Sequence, residues 1–212
     1  YALKVDERHG RLVVFVSRSH PNLIRKLFEQ EVPEIRDGIV EIVSVAREAG
    51  SRTKMAVASR DPNVDALGAC VGQHGMRVQA VLDELNGERI DIVEWSPELE
   101  TFISNALSPA RVQRVDIDEE NRAARVIVPD GQLSQAIGRE GQNARLAARL
   151  TGWKVDIKSE SQYSELIEQE FLRQFEEAAS QAAEELDYED AEALAADDEY
   201  PRSEERRVGK EC

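Results

Sequence analysis

Two cysteines, Cys70 and Cys212, are all that this 212-residue chain contains, so it has neither a disulfide framework nor a cysteine-based metal site. Cys70 lies in an apolar helical stretch and reads as a small buried hydrophobe. The three histidines, His9, His20 and His74, are far apart and form no H-x-x-H or His-Asp pair. There is no G-x-x-x-x-G-K-[ST] loop and no acidic cluster at metal-ligand spacing, which argues against nucleotide hydrolysis and metal-assisted chemistry. Long apolar runs are missing too. The longest, Leu12 to Val16, is far too short for a membrane span, and no signal peptide precedes it. We therefore expect a soluble, cytoplasmic, non-enzymatic chain with no catalytic residue, metal, cofactor or membrane contact. The first residue is Tyr1 rather than Met and falls almost directly into a strand, so the natural start is expected to lie upstream.

Positive charge is scarce overall, with 27 Lys+Arg against 42 Asp+Glu and a net charge of -15. The deficit is uneven. Residues 160–212 hold 18 Asp+Glu against 5 Lys+Arg, whereas the first 159 residues hold 24 against 22. The front three-quarters can thus carry a local basic face despite the acidic average.

What the chain does have is a repeat. Val71-Gly72-Gln73-His74-Gly75 opens a helix that leads to Ile90-Asp91-Ile92, and 66 residues later Ile137-Gly138-Arg139-Glu140-Gly141 opens another that leads to Val155-Asp156-Ile157. The surroundings repeat as well. A helix from Ser19-His20-Pro21 has Leu23, Ile24, Leu27 and Phe28 on one side, and strands are expected over Ile39 to Ala46 and Thr53 to Ala58. A short helix with Val64, Leu67 and Val71 enters the first G-x-x-G. The helix after it carries Val78, Val81, Leu82 and Leu85, stops at Asn86-Gly87, and gives way to a strand over Arg89 to Glu94. The second copy starts at Ser96-Pro97 with Leu99, Phe102, Ile103, Ala106 and Leu107 at helical spacing. Strands over Val112 to Ile117 and Arg125 to Val128 come next, then a short helix, the loop, a helix with Leu146, Ala147 and Leu150, and a closing strand over Lys154 to Lys158. Both copies read α-β-β-α-α-β, and six shared elements say far more than the loop alone.

An apolar residue, G-x-x-G, a helix and a short strand resemble a KH module, which grips single-stranded RNA by its backbone. The physical reason is steric and electrostatic. Glycine lets a nucleic-acid backbone approach bare peptide and supplies the positive φ of a tight turn. The helix after the loop then offers its N-terminal dipole to phosphate. Candidate RNA contacts are Val71, Gly72, Gln73, His74, Gly75 and Arg77 in the first copy. In the second they are Ile137, Gly138, Arg139, Glu140, Gly141, Gln142, Asn143, Arg145 and Arg149. Glu140 would repel phosphate unless it faces solvent or Arg145, and Arg145 and Arg149 read equally well as a solvated helix face. Arg52 and Lys54, near the first hairpin, carry the same ambiguity.

The expected fold class is α+β, with two tandem KH domains, each a three-stranded sheet with helices on one face. The expected boundaries are residues 1–30 for a β-hairpin and linker helix, 31–96 and 97–159 for the two KH domains, and 160–212 for an acidic tail. The hairpin, Tyr1 to Val5 with Arg11 to Ser17, is either packed on the segment after it or the closing end of a small barrel. In the tail, Leu166, Ile167, Phe171, Phe175, Ala178, Ala182 and Leu186 predict one amphipathic helix, while residues 187–199 are too acidic to fold unaided. The tail would solubilise the chain, bind a partner, or compete with RNA for the basic grooves. Arg202 to Cys212 reverse the charge abruptly and read as a frame or fusion scar. The short join at Trp95-Ser96-Pro97 predicts a rigid pair, with Trp95 buried between the copies and a footprint of roughly eight nucleotides.

Two longer stretches are more specific. Gly68-Ala69-Cys70-Val71-Gly72 through Val78-Gln79-Ala80-Val81, with Gly87-Glu88-Arg89-Ile90-Asp91-Ile92-Val93, resembles the first KH domain of the NusA family of bacterial transcription factors. Gln135-Ala136-Ile137-Gly138-Arg139-Glu140-Gly141-Gln142-Asn143-Ala144-Arg145-Leu146-Ala147 resembles the second. Ser17-Arg18-Ser19-His20-Pro21 and Glu31-Val32-Pro33-Glu34-Ile35 look like the exit from that family's S1-type barrel. The resemblance spans about residues 10–159. It implies a monomeric factor that holds nascent RNA and modulates RNA polymerase pausing, termination and antitermination. The family's polymerase-binding N-terminal domain is not in this sequence. The alternatives are an accessory subunit of an RNA-processing enzyme and a protein adaptor whose KH folds no longer take RNA.

Overall fold

The computed structural model describes the backbone of residues 1–196 and the side chains of residues 1–179. Residues 1–163 form one compact unit and residues from 164 on a second. The chain opens with β1 (Ala2–Arg8) and β2 (Arg11–Val16), an antiparallel hairpin. His9 and Gly10 both have positive φ at its tip, the turn geometry that matches the right-handed strand twist. Leu3, Val5, Leu12, Val14 and Val16 are exposed, so the hairpin leaves most of its apolar side chains uncovered.

The first module comprises α1 (Asn22–Glu31), α2 (Pro33–Arg36), β3 (Val40–Glu48), β4 (Arg52–Ser59), α3 (Ala66–Val71), α4 (Met76–Glu84) and β5 (Arg89–Glu94). Its sheet runs β3-β4-β5, with β3 antiparallel and β5 parallel to β4. A parallel neighbour needs a crossover, and the α3–loop–α4 unit supplies it. The sequence suggests a linker helix within residues 1–30, but α1 packs as part of this module. Ile24 and Phe28 are fully buried in one core with Val32, Val40, Ile42, Met55, Val57, Cys70 and Val81. Their spacing on α1 is the i, i+4 stripe that a helix must bury. Burial pushes the Cys70 thiol up to about 12, in keeping with an inert apolar filler.

The second module repeats the plan with α5 (Leu99–Ala106), β6 (Arg114–Asp118), β7 (Ala123–Val128), α6 (Leu133–Ile137), α7 (Gln142–Thr151) and β8 (Lys154–Ser159). Its sheet runs β6-β7-β8 with the same pairing senses. The order α-β-β-α-α-β thus stands in both copies, with the short helix α2 added after α1 in the first.

The two modules share a core. β4 is buried on both faces: Met55 and Val57 point into the first module's own core, whereas Ala56 joins Ala46 and Val93 in a cluster with Ile103, Leu107, Leu146, Ala147 and Leu150 of the second. Helix α7 lies directly against β3 and β4. Trp95, expected as the buried lock, is only half-buried at the rim of this cluster, and the small residues Ala46 and Ala56 let the helix approach. Between them, Lys54 is fully buried; its Nζ donates to Ser108 O at 2.8 Å and lies 3.2 Å from Asp91.

Helix α8 (Glu160–Ala196) comes last. It continues through residues 187–196, where the acidic composition predicts no fold; four alanines there (Ala191, Ala193, Ala195 and Ala196) favour helix strongly. Leu166, Ile167, Phe171, Leu172 and Phe175 on it are exposed. Ala182 and Leu186 of the expected stripe, and residues 202–212, lie outside the described side chains. Among the described residues, no helix is long and apolar enough to cross a membrane.

Candidate nucleic-acid interface

The two glycine loops have one backbone. Gly72 sits at φ/ψ 74/175, His74 at 51/23 and Gly75 at 77/12; Gly138, Glu140 and Gly141 sit at 76/174, 54/26 and 72/14. In each, the second glycine's N–H donates to the first glycine's carbonyl at 3.2 Å. The two glycines serve different needs. A Cβ on Gly138 would lie 2.8 Å from Asn143 Cβ and 2.9 Å from its backbone N, and one on Gly72 would lie 2.7 Å from Arg77 Cγ. Gly141 has open space around it and needs glycine only for its positive φ. We expect Gly141→Ala to cost about 1 kcal/mol, the ordinary penalty of a Cβ in the left-handed region. Gly138→Ala should cost more, about 2–3 kcal/mol, because backbone must also shift. Thermal melts of the two variants check the order.

Glycine at the N-cap gives α4 and α7 no side-chain cap, so their first-turn amides face the loop surface with the positive end of the dipole. Gln73, His74, Arg139 and Glu140 are exposed at the two tips, and Met76 and Ile137 add exposed apolar surface beside them. Arg139 and Glu140 are 3.7 Å apart on side chains 92% and 82% exposed, too solvated to hold each other firmly. The edge thus joins an uncapped helix N-terminus to an apolar shelf in each copy.

Several expected contacts sit elsewhere. Asn143 is fully buried: its Nδ2 donates to Leu107 O and Ala136 O, each at 3.0 Å, and to Gln135 O at 3.5 Å. Arg77, at the matching place in the first copy, donates from Nη1 to Ala69 O at 2.6 Å and to Glu34 at 2.9 Å. The fifth residue after the leading glycine therefore staples the end of the preceding helix in both copies and is not a free donor to RNA. Lys54 is corrected in the same way. Burial pushes its ammonium down, with Asp91 offsetting only part of the effect, and it struts the interface between modules. Arg52 pairs with the same carboxylate, Nη2 to Asp91 at 2.6 Å, and is mostly buried.

Gln142, Arg145 and Arg149 converge on Glu48 of the first module. Arg145 Nε donates to it at 2.6 Å and Gln142 Nε2 at 2.9 Å, while Arg149 Nη1 lies 3.5 Å away. Hydrogen bonds from Arg145, then Gln142, hold the Glu48 carboxyl down at about 2, with the two guanidinium charges adding to the effect. Glu140 points its side chain to solvent, and its carbonyl, not its carboxylate, meets Arg145. Glu34 and Glu48 carry no signal in the sequence. Each lies 43 or more residues from its arginine, so no local pattern announces it.

Among the described residues, no group of three or more His, Cys, Asp or Glu could hold a metal ion. Residues 18–95 match the NusA-like first KH domain, and residues 99–165 match the NusA-like second KH domain. The chain belongs to the NusA family. It is similar to the transcription termination/antitermination protein NusA of Bacillus subtilis, 58% identical over 166 residues, covering 78% of this chain and 45% of that protein. The NusA of Mycobacterium bovis is 59% identical over 162 residues, covering 76% and 47%. That of Thermus thermophilus is 47% identical over 197 residues, covering 93% and 50%. The chain thus spans about half the length of the NusA proteins it matches, and both NusA-type KH domains fall essentially inside its first compact unit.

Proposed function

We propose that this chain holds single-stranded RNA along its two glycine loops, as the RNA-gripping part of a transcription termination/antitermination factor. For the whole protein, the partners are nascent RNA and the RNA polymerase that releases it, and the chain acts as a monomer. The observation that carries the reading is the duplication of one unusual loop geometry at two helix N-termini within one compact unit that shares a core. A unit of that kind presents two phosphate-accepting edges at fixed spacing, so one strand can engage both.

The contacts proposed on RNA are the loop residues Val71, Gly72, Gln73, His74 and Gly75 and Ile137, Gly138, Arg139, Glu140 and Gly141. Gln142, Arg145 and Arg149 line the second edge while held by Glu48. Changing Gln73 and His74 to Asp, together with Arg139 and Glu140 to Asp, places like charge where phosphate would sit. Asp tolerates the left-handed region, so the loops keep their shape. Fluorescence anisotropy with a short unstructured RNA should show affinity falling more than about tenfold, the cost of lost phosphate contacts. Circular dichroism should stay the same. If about four phosphates are paired in the parent, log K against log salt slopes near -3. Unchanged affinity in the fourfold variant would remove the RNA reading.

A further inference from the structure

We propose that Glu48, a residue of the first module, is a positioning residue for the RNA loop of the second. The inference rests on the RNA reading above and extends it from the loops to the contact between modules. Glu48 ends β3 with its side chain 21% exposed, and it takes Arg145 in a two-pronged pair, Nε to Oε1 at 2.6 Å and Nη2 to Oε2 at 3.2 Å. The remaining prong of that guanidinium, Nη1, donates to Glu140 O at 3.2 Å, the loop's own carbonyl. Gln142, the residue directly after Gly141, gives Nε2 both to Glu48 Oε2 at 2.9 Å and to Ser51 Oγ at 2.8 Å. A carboxylate of one module therefore holds two residues of the helix that leaves the other module's loop, and one of them, Arg145, reaches back to the loop's Glu140 carbonyl.

The peptide plane makes this grip matter. Fixing the Glu140 carbonyl fixes the Gly141 N–H in the same plane. That amide closes the loop by donating to Gly138 O at 3.2 Å, so its direction sets the shape of the turn. A planar, two-pronged arginine–carboxylate pair constrains direction as well as distance. The first loop has no such device: the places matching Gln142, Arg145 and Arg149 are Met76, Gln79 and Asp83, none of them a cation. The second loop is preset by its neighbour, and the first is set by its own module.

The sign of the effect separates this role from plain electrostatics. Glu48 carries negative charge beside a surface meant for phosphate, so removing it frees two arginines and, by charge alone, tightens RNA binding. The salt slope would then steepen by about 0.7 for each cation gained. Positioning predicts the opposite. In the full chain, Glu48→Gln should weaken binding of a short unstructured RNA about fivefold, a coupling of ordinary size for directly bonded groups.

The loop variants supply the decisive comparison. With Arg139 and Glu140 changed to Asp, Glu48→Gln should have no further effect, because it acts through that loop. With Gln73 and His74 changed to Asp, its effect should persist in full. Tighter or unchanged binding on Glu48→Gln in the parent overturns the proposal, and so does an equal loss in both loop backgrounds, which marks a general loosening of the fold. A parent chain that binds no RNA would overturn the RNA reading itself, a result distinct from either.

Discussion

Glu88→Ala should lower the unfolding free energy by about 3–5 kcal/mol, the cost of stranding a buried charge. The Glu88 side chain is 1% exposed and its partner Arg47 is 3% exposed. Arg47 donates to it from Nε and Nη2, each at 2.9 Å, Thr53 Oγ1 from 2.6 Å and the Gly50 N–H from 2.8 Å. A third arginine nitrogen, Nη1, donates to His20 O at 3.0 Å. The carboxylate and its arginine thus tie β3, the β3–β4 turn, the start of β4 and the segment before α1 into a single knot. Alanine leaves Arg47 buried with nothing to balance it and leaves the Gly50 amide and Thr53 hydroxyl without their acceptor. Pairing Glu88→Leu with Arg47→Met should recover much of the loss, because no uncompensated charge then remains. Urea denaturation of the three proteins tests both statements, and a loss below about 1 kcal/mol for the single variant would mean water reaches the knot.

The same carboxylate gives a pH dependence of definite sign. Burial acting alone would raise the Glu88 carboxyl, but the bonds from Arg47, Thr53 and Gly50 together hold it below its ordinary value. Its folded pKa lies below its unfolded one, so it adds stability above the unfolded carboxylate pKa and loses it as pH falls toward the folded one. Glu48, held at about 2, works in the same direction. Acid should therefore weaken the first module and its contact with the second together. Glu88→Ala should flatten the acid limb of the stability curve.

Leu146→Ala should cost about 2–5 kcal/mol, the range for removing a buried leucine and leaving a cavity. Its side chain is fully buried on α7, within the cluster that includes Ala46, Ala56 and Val93 of the first module. A cavity there faces both sheets. Amide exchange should consequently speed up in β4 as well as in β7, and the pair should still unfold in one transition, since neither module keeps its core without the other. A variant that loosened β7 and left β4 unchanged would show two independent domains joined by a short linker. Rigid coupling, on which the proposed single RNA track depends, would then fail.

Much of this was legible in the chain itself, and for a local reason. The order of six elements in each copy obeys apolar periodicity and turn residues that act over a few positions. The loop shape is equally local, because only glycine adopts φ near +75° beside backbone as close as that of Asn143. Boundaries read less well. The helix over residues 22–31 looks like a linker until Ile24 and Phe28 are seen filling the first module's core.

The side chains proposed as RNA contacts were the least legible part. Arg77, Asn143, Lys54 and Arg145 have the right chemistry for phosphate or base, and the sequence offers them all as candidate RNA contacts. Folding sorts them by what lies opposite: helix-end carbonyls for Arg77 and Asn143, Ser108 and Asp91 for Lys54, and Glu48 for Arg145. The sequence by itself determined the two loops and the helices they open, because glycine geometry and helix periodicity are properties of short stretches. Only the tertiary structure decided which polar groups remain free for a ligand, because a carboxylate 97 residues away from its arginine finds it through packing and not through spacing.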